Sequence, residues 1–324
     1  MWSVRLVAVL ALLAVWVGGA PAAPSEYPNR PIRYIAASAP GGASDGIART
    51  MGPALSEGLG VQVVVDNRPG AANTIGAEIA ARAAPDGYTI LGCNIASLAV
   101  SPALYKKLGY DPERDFAPIG LIASNPNVLT VHPSLPAATI PQFVALAKAH
   151  PGKLNYASAG VGTTPQLSME LFRMQTRIDI VHVPYKGAGL AVIDLMGGRI
   201  EAMFSTVPSV LSAVRGGKVR ALGVTSQQRD PDLPEVPTIA ESGLPGFEVI
   251  SWQGLCAPAA VPQPVLARLR AALAAVLALP DTRKRLADQG FQPHPMTVEK
   301  FAAFARAERV KWGKLVKDIG IKPQ

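Results

Sequence analysis

Residues 34–49 read YIAASAPGGASDGIAR. An apolar run ends at Pro40, Gly41 and Gly42 follow, and Ser44 and Asp45 open a helical pattern. The stretch is a strand, a glycine turn and a helix. Glycine tolerates positive φ and lets a ligand approach the backbone. The first N–H groups of a helix lack intrahelical partners. With the helix dipole added, such a junction suits an anion. Comparable junctions recur at Gly70–Thr74, Ser158–Thr164 and Lys186–Gly189, each after a predicted strand. Open α/β sheets bind their ligands at that edge.

Outward from the first junction, the pattern predicts strands over 32–37, 61–65 and 88–93 and helices over 45–59 and 74–84. The β-branched run at 61–65 suits a parallel strand buried on both faces. A second block predicts an extended run at 128–131, a helix over 140–149 with Thr139 as N-cap, strands over 154–157, 178–183, 200–205 and 219–225, and helices over 165–175 and 190–196. Residues 227–247, rich in Pro, Gly and acids, predict an irregular excursion. A strand over 249–257 and helices over 264–279, 281–289 and 298–319 complete the chain. Strands alternating with helices mean an α/β fold with mostly parallel sheets flanked by helices.

The N-terminus reads as a leader. A basic start, an apolar run over 6–17 and small residues to Ala23 predict a cleaved signal peptide, residues 1–22, with cleavage near Ala22. The run is short for a membrane span. Hydrophobic content of 49% against 17% charge argues for large cores and against disorder. The net charge of +8 falls to +7 when Arg5 leaves with the leader. The pI is 9.6, but the basic residues are scattered without interleaved aromatics, which argues against nucleic acid. A mild positive field suits an anionic ligand.

Other chemistries find little support. GGASDG is not G-x-G-x-x-G, and no G-x-x-x-x-G-K-[ST] occurs, so no nucleotide cofactor is expected. Tyr156–Gly160 resembles a nucleophile elbow around Ser158 without its first glycine. His132, His150, His182 and His294 have no catalytic spacing to it. No His or Cys pattern implies a metal. Cys93 and Cys256 are too few for a disulfide scaffold and read as buried thiols.

Six stretches together carry a resemblance: YPNRPIRYIAASAPGGASDGIAR, VVVDNRPGAANTIGAEIAARAAPDGYTIL, LNYASAGVGTTPQLSMELF, VHVPYKGAGLA, VRALGVTSQQRDPDLPEVPTIAESGLPGFE and WQGLCAPAAVP. In order, and across the whole mature chain, they resemble the Bug-type solute-binding receptors of tripartite tricarboxylate transporters. The resemblance implies a two-domain periplasmic-binding-protein fold of Venus flytrap, type II-like architecture. It implies crossings near Ser124 and Val249, hence domain 1 from 24–123 plus 250–324 and domain 2 from 124–249.

It also implies a monomeric periplasmic receptor, not an enzyme. The expected partners are a small carboxylate and the membrane permease subunits, or alternatively a membrane sensor. An exported serine hydrolase using Ser158 is the remaining alternative. The implied ligand-binding residues are Gly41, Gly42, Ala43 and Asp45 in the first turn and Asn73 and Thr74 in the second. Asn94 and Ser97 follow the third strand. Ser158, Gly160, Gly162, Thr163 and Thr164 form the third turn; Tyr185, with Lys186 and Gly187, the fourth; Ser205 completes the set. The chain departs from the family's pattern at Ala37–Ala39, Gln166 and Ser205, which bears on ligand identity. With the crossings so placed, Cys256 lies about five residues deeper than Cys93, ~15 Å at strand rise. A disulfide needs Cα atoms within about 7 Å, so none is expected.

Overall fold

A computed structural model describes residues 27–320 apart from 39, 41, 71, 72, 161, 186, 294, 295 and 319. The leader and its cleavage site, Gly41, Lys186 and His294 lie outside the described residues. Strand β1 (Ile32–Ala36) lies between β2 (Val63–Asn67) and β3 (Thr89–Asn94), parallel to both. Helices α1 (Ala43–Leu59) and α2 (Thr74–Ala81) make the crossovers. Ile47, Met51, Leu55 and Leu59 recur at helical spacing and form the buried stripe of α1. Gly60, at φ 74°, ends it in the left-handed region.

A π-helical turn (Ala96–Val100) and α3 (Ser101–Leu104) lead to the long strand β4 (Phe116–Val131). Two partners share its length. From Phe116 to Pro126 it runs antiparallel to β9 (Ile250–Pro258), which also pairs with β3. From Asn127 onward it pairs with β7 (Ala202–Thr206) and β8 (Arg220–Val224). Beyond β7 lie the parallel strands β5 (Asn155–Ser158) and β6 (Val181–Pro184). The sheet order is β2-β1-β3-β9-β4-β7-β5-β6 among the described residues. Helices α4 (Ile140–Ala149), α5 (Thr164–Thr176), α6 (Ala188–Met196) and α7 (Val207–Arg215) accompany the second set of strands. The C-terminal helices α8 (Gln263–Ala278), α9 (Pro280–Asp288) and α10 (Val298–Asp318) return to the first, and β10 (Gln292–Pro293) pairs with β4. Trp252 of β9 is fully buried and meets Phe301 and Phe304 of α10 edge-on, which fixes that helix to the sheet.

The two passages between the strand sets meet at Thr225, which is fully buried. Asn127 N–H donates to Thr225 Oγ1 and Thr225 N–H to the Asn127 carbonyl, both at 2.8 Å. The Thr225 hydroxyl donates to the Val249 carbonyl (2.5 Å), and Val249 N–H returns to the Thr225 carbonyl (3.0 Å). One threonine therefore fastens both passages together.

Three features differ from the sequence reading. Cys93 and Cys256 form a disulfide, with Cα atoms 6.0 Å apart. The expectation of two separate thiols is corrected by register. β9 lies directly beside β3, pairing Cys93 with Gly254 and Leu91 with Cys256. The cysteines are therefore diagonal neighbours across one antiparallel ladder, within bridging range. β4 begins far ahead of 128–131, because bulges near Pro118–Gly120 and Leu121–Ala123 absorb residues that read as strand breakers. Helix α7 carries Val207, Val210 and Val214, β-branched residues with low helix propensity, and starts with Pro208 in its first turn.

Candidate functional site

A cavity of about 230 Å³ lies where the ends of the strands face α5, lined by twelve residues from both strand sets. From the first set come Ser38, Ala43, Ser44, Asn73, Asn94, Ile95 and Ala96, with Ser251 and Gln253 of β9 beside them. The opposite wall is Gly162, Thr163 and Thr164. The volume is below the roughly 300–1,000 Å³ of drug-sized pockets, which suits a small ligand. No charged side chain lines it among the described residues.

Two helix starts form the opposing walls. At α1 the N-cap is Gly42, which has no side chain to bond the first amides. Ser38 Oγ accepts from Asp45 N–H at 3.1 Å, so the third amide of α1 is already engaged. Ser44 N–H has no acceptor among the described residues. At α5 the N-cap is Thr163, whose hydroxyl donates to the Gly160 carbonyl at 2.7 Å instead of accepting from the helix. The N–H groups of Thr164 and Gln166 then have no acceptor among the described residues. Each helix end carries about half a positive charge, so the pair together matches one carboxylate.

The third turn is held from behind by a directed chain of hydrogen bonds. Gly160 (φ 135°) and Gly162 (φ 77°) take conformations that other residues rarely adopt. Gly162 N–H donates to Gln166 Oε1 at 2.6 Å, so the Gln166 amide nitrogen faces His182 Nδ1, 3.5 Å away. In the tautomer with Nδ1 accepting from Gln166, Nε2 carries the proton and points at Ser158 Oγ, 2.7 Å away. Ser158 in turn donates to the Gly160 carbonyl at 3.2 Å. In that tautomer the Ser–His pair is oriented against nucleophilic chemistry. The histidine donates to the serine and so does not accept its proton, and Ser158 is fully buried. Burial lowers the His182 pKa below its ordinary 6.5, with Glu170 opposing and Arg173 reinforcing the shift. The imidazole stacks on Tyr156, whose hydroxyl donates to Glu170.

Of the residues named from sequence, Ala43, Asn73, Asn94, Gly162, Thr163 and Thr164 line the cavity. Gly42 caps α1, and Thr74 is the buried first residue of α2. Asp45 is buried and turned to Arg49 (2.9 Å) and to Asn67 Nδ2 (2.9 Å). Ser97 braces Asn94, donating its N–H to Asn94 Oδ1 at 3.0 Å. Ser158 and Gly160 support the third turn as described. Tyr185 donates to Asp194 at 2.7 Å, ahead of α6 and away from the cavity lining. Ser205 is fully buried, with an Oγ that has no partner among the described residues. Ser38, Ser44, Ile95, Ala96, Ser251 and Gln253 line the cavity without having been anticipated. Ser38 and Ser44 flank the first turn and were within reach of the sequence argument; the β9 pair depended on strand register. Among the described residues no group of three or more His, Cys, Asp or Glu side chains converges as metal ligands would.

A family model described as "Tripartite tricarboxylate transporter family receptor" matches residues 47–321. The chain belongs to this family. Among relatives, the protein BugT of Bordetella pertussis is 35% identical over 320 residues, covering 98% of each chain. Two solved structures of family receptors from Rhodopseudomonas palustris superimpose well. Rpa4515 with adipate gives a TM-score of 0.82 at 34% identity, covering 92% of this chain and 100% of that one. MatC with bound malate gives 0.78 at 33% identity, covering 90% and 100%. The periplasmic binding protein BugD also superimposes, with a TM-score of 0.79 at 34% identity covering 92% of this chain and 100% of that one, and its two-domain periplasmic-binding-protein fold is the fold of this chain. Among the described residues no helix is long and apolar enough to cross a membrane.

Proposed function

We propose that this receptor captures a small carboxylate in the periplasm and hands it to the membrane permease subunits of a tripartite tricarboxylate-type transporter. In this reading residues 1–22 are removed on export. Residues 24–123 with 250–324 form one domain and residues 124–249 the other, and the receptor acts as a monomer. The observation that carries the reading is the pair of uncapped helix starts, α1 and α5, on opposite walls of one small uncharged cavity. A carboxylate is all acceptor and fits donors on both sides. Charge-assisted bonds to backbone amides are roughly twice as strong as neutral ones, so an acid is preferred over a neutral solute. Adipate and malate in the related structures point to short aliphatic diacids.

Catalysis is not part of the reading, since Ser158 is fully buried and its hydroxyl is directed to the Gly160 carbonyl. The test is calorimetry with adipate, malate and a panel of mono- and tricarboxylates, backed by thermal shift. Saturable binding at one site is expected. A ligand at a hundred times its Kd should stabilise by ~2.7 kcal/mol. Absence of binding across the panel, or turnover of an ester panel that Ser158→Ala abolishes, contradicts the proposal.

A further inference from the structure

A second directed chain crosses the cavity floor. Asn73 Nδ2 donates to Asn94 Oδ1 at 3.2 Å, Asn94 Nδ2 to Ser44 Oγ at 3.2 Å, and the Ser44 hydroxyl to Gln253 Oε1 at 3.1 Å. Its direction is fixed at the start. Ser97 N–H also donates to Asn94 Oδ1, at 3.0 Å, so both acceptor sites of that oxygen are filled and the Asn94 amide nitrogen must face Ser44. Ser44 accepts from Asn94 and gives its one proton to Gln253. The oxygen of Gln253 is thereby engaged within the protein, while its Nε2 has no partner among the described residues.

This group is not a surface amide. Gln253 is 6% exposed, Ser44 4% and Asn94 2%. β3 and β9 pair Asn94 directly with Gln253, and the Cys93–Cys256 disulfide bridges the same ladder. All four members, Asn73, Asn94, Ser44 and Gln253, line the cavity. Gln253 is more than nine-tenths buried and lines the cavity, so the space its free Nε2 can donate into is the cavity itself, where an oxygen of the ligand is a fitting partner.

We infer that Gln253 is a specificity-determining residue that donates through Nε2 to a carboxylate oxygen of the ligand, and that Ser44 is the positioning residue that keeps this donor turned to the cavity. The inference rests on the carboxylate-receptor reading and adds to it. With the side-chain oxygens of Asn94 and Gln253 spent inside the protein, the floor favours oxygen acceptors and offers poor company to an ammonium group.

The experiment is calorimetry of the full mature chain with adipate, malate and 6-aminohexanoate. It compares the parent protein with Gln253→Glu, Gln253→Met and Ser44→Ala, each checked for a retained thermal transition. Gln253→Glu keeps size and the bond from Ser44 but replaces the donor with a carboxylate oxygen. It is expected to weaken the diacids about 100-fold while holding 6-aminohexanoate no more weakly than the parent does. Gln253→Met, without donor or charge, is expected to lose about tenfold on the diacids. It reads the same contact should the Glu variant fail to fold. Ser44→Ala frees the amide to turn, and the diacid-to-amine preference is expected to fall about tenfold. Diacid binding by the parent that both Gln253 variants retain within threefold overturns the inference and leaves the receptor reading intact. Equal losses on diacid and amine assign Gln253 a structural role and overturn it as well. A parent protein that binds none of the acids overturns both.

Discussion

Two helices of this protein begin with nearly the same words. α4 is entered through Thr139-Ile140-Pro141-Gln142 and α5 through Thr163-Thr164-Pro165-Gln166. At α4 the box is closed: Gln142 N–H donates to Thr139 Oγ1 at 3.3 Å, and Gln142 Oε1 reaches back to Ala138 N–H at 2.7 Å. At α5 only half of it forms. Gln166 Oε1 reaches back to Gly162 N–H, but Thr163 gives its proton to the Gly160 carbonyl and leaves the helix uncapped. The glycines of the preceding turn, at positive φ, present that carbonyl and make the difference. A capping motif in the sequence therefore does not guarantee a cap. Where the cap is withheld, the amides face a cavity; where it forms, they do not.

Four sets of variants probe this contrast. The largest effect lies outside both turns and shows what a purely structural loss looks like. The disulfide closes a separation of 163 residues, worth about 5 kcal/mol on chain-entropy grounds. Denaturant titration of the Cys93→Ser, Cys256→Ser variant should show a loss of that order. A loss under ~1 kcal/mol would mean that the ladder between β3 and β9 holds without it. Next, Thr163→Asp gives α5 the cap that α4 has, with the protein's own carboxylate in place of the ligand's. Diacid affinity is expected to fall at least about 100-fold, equivalent to ~2.7 kcal/mol, with folding stability unchanged or raised. Undiminished binding in calorimetry would remove the α5 amides from the site.

Third, Thr139→Ala removes a working cap and should cost about 1 kcal/mol of stability, leaving diacid affinity unchanged. An affinity change at α4 would undo the division of roles. The smallest effect is on pH. His182 has its pKa lowered by burial, so the unfolded chain takes up its proton first as pH falls. This contribution to stability is complete above the ordinary 6.5 and is lost progressively below it, toward the lower folded value. Chemical denaturation across that window should show a shallower pH dependence for His182→Gln than for the parent, and an unchanged slope would detach His182 from the support of the third turn.

Much of this was legible because it is local. β-branched runs, Gly and Pro punctuation and Thr-Pro starts mark most of the strands and helices, and the junction at Pro40–Asp45 points to the sheet edge that borders the cavity. What resisted reading depends on partners distant in sequence. The role of Cys256 follows from its register against Leu91, and that of Gln253 from lying opposite Asn94; neither register is written in β9 alone. The first part of β4 hides behind Pro118, Gly120 and Pro126, which bulges and the change of partner accommodate. Asp45 reads as a binding carboxylate until its i+4 neighbour Arg49 is counted, a signal that was present in the sequence. Ser158 reads as a ligand-binding residue of the third turn, yet its hydroxyl is sealed between His182 and Gly160.

In the proposed mode of binding, backbone amides at the starts of α1 and α5 grip one acid. Amide-resolved NMR during titration with adipate and malate tests it most directly. The account predicts that the Ser44, Thr164 and Gln166 N–H resonances move downfield together, saturating at the Kd found by calorimetry, while the capped Gln142 N–H stays in place. Saturable binding that leaves those three resonances unmoved would contradict it.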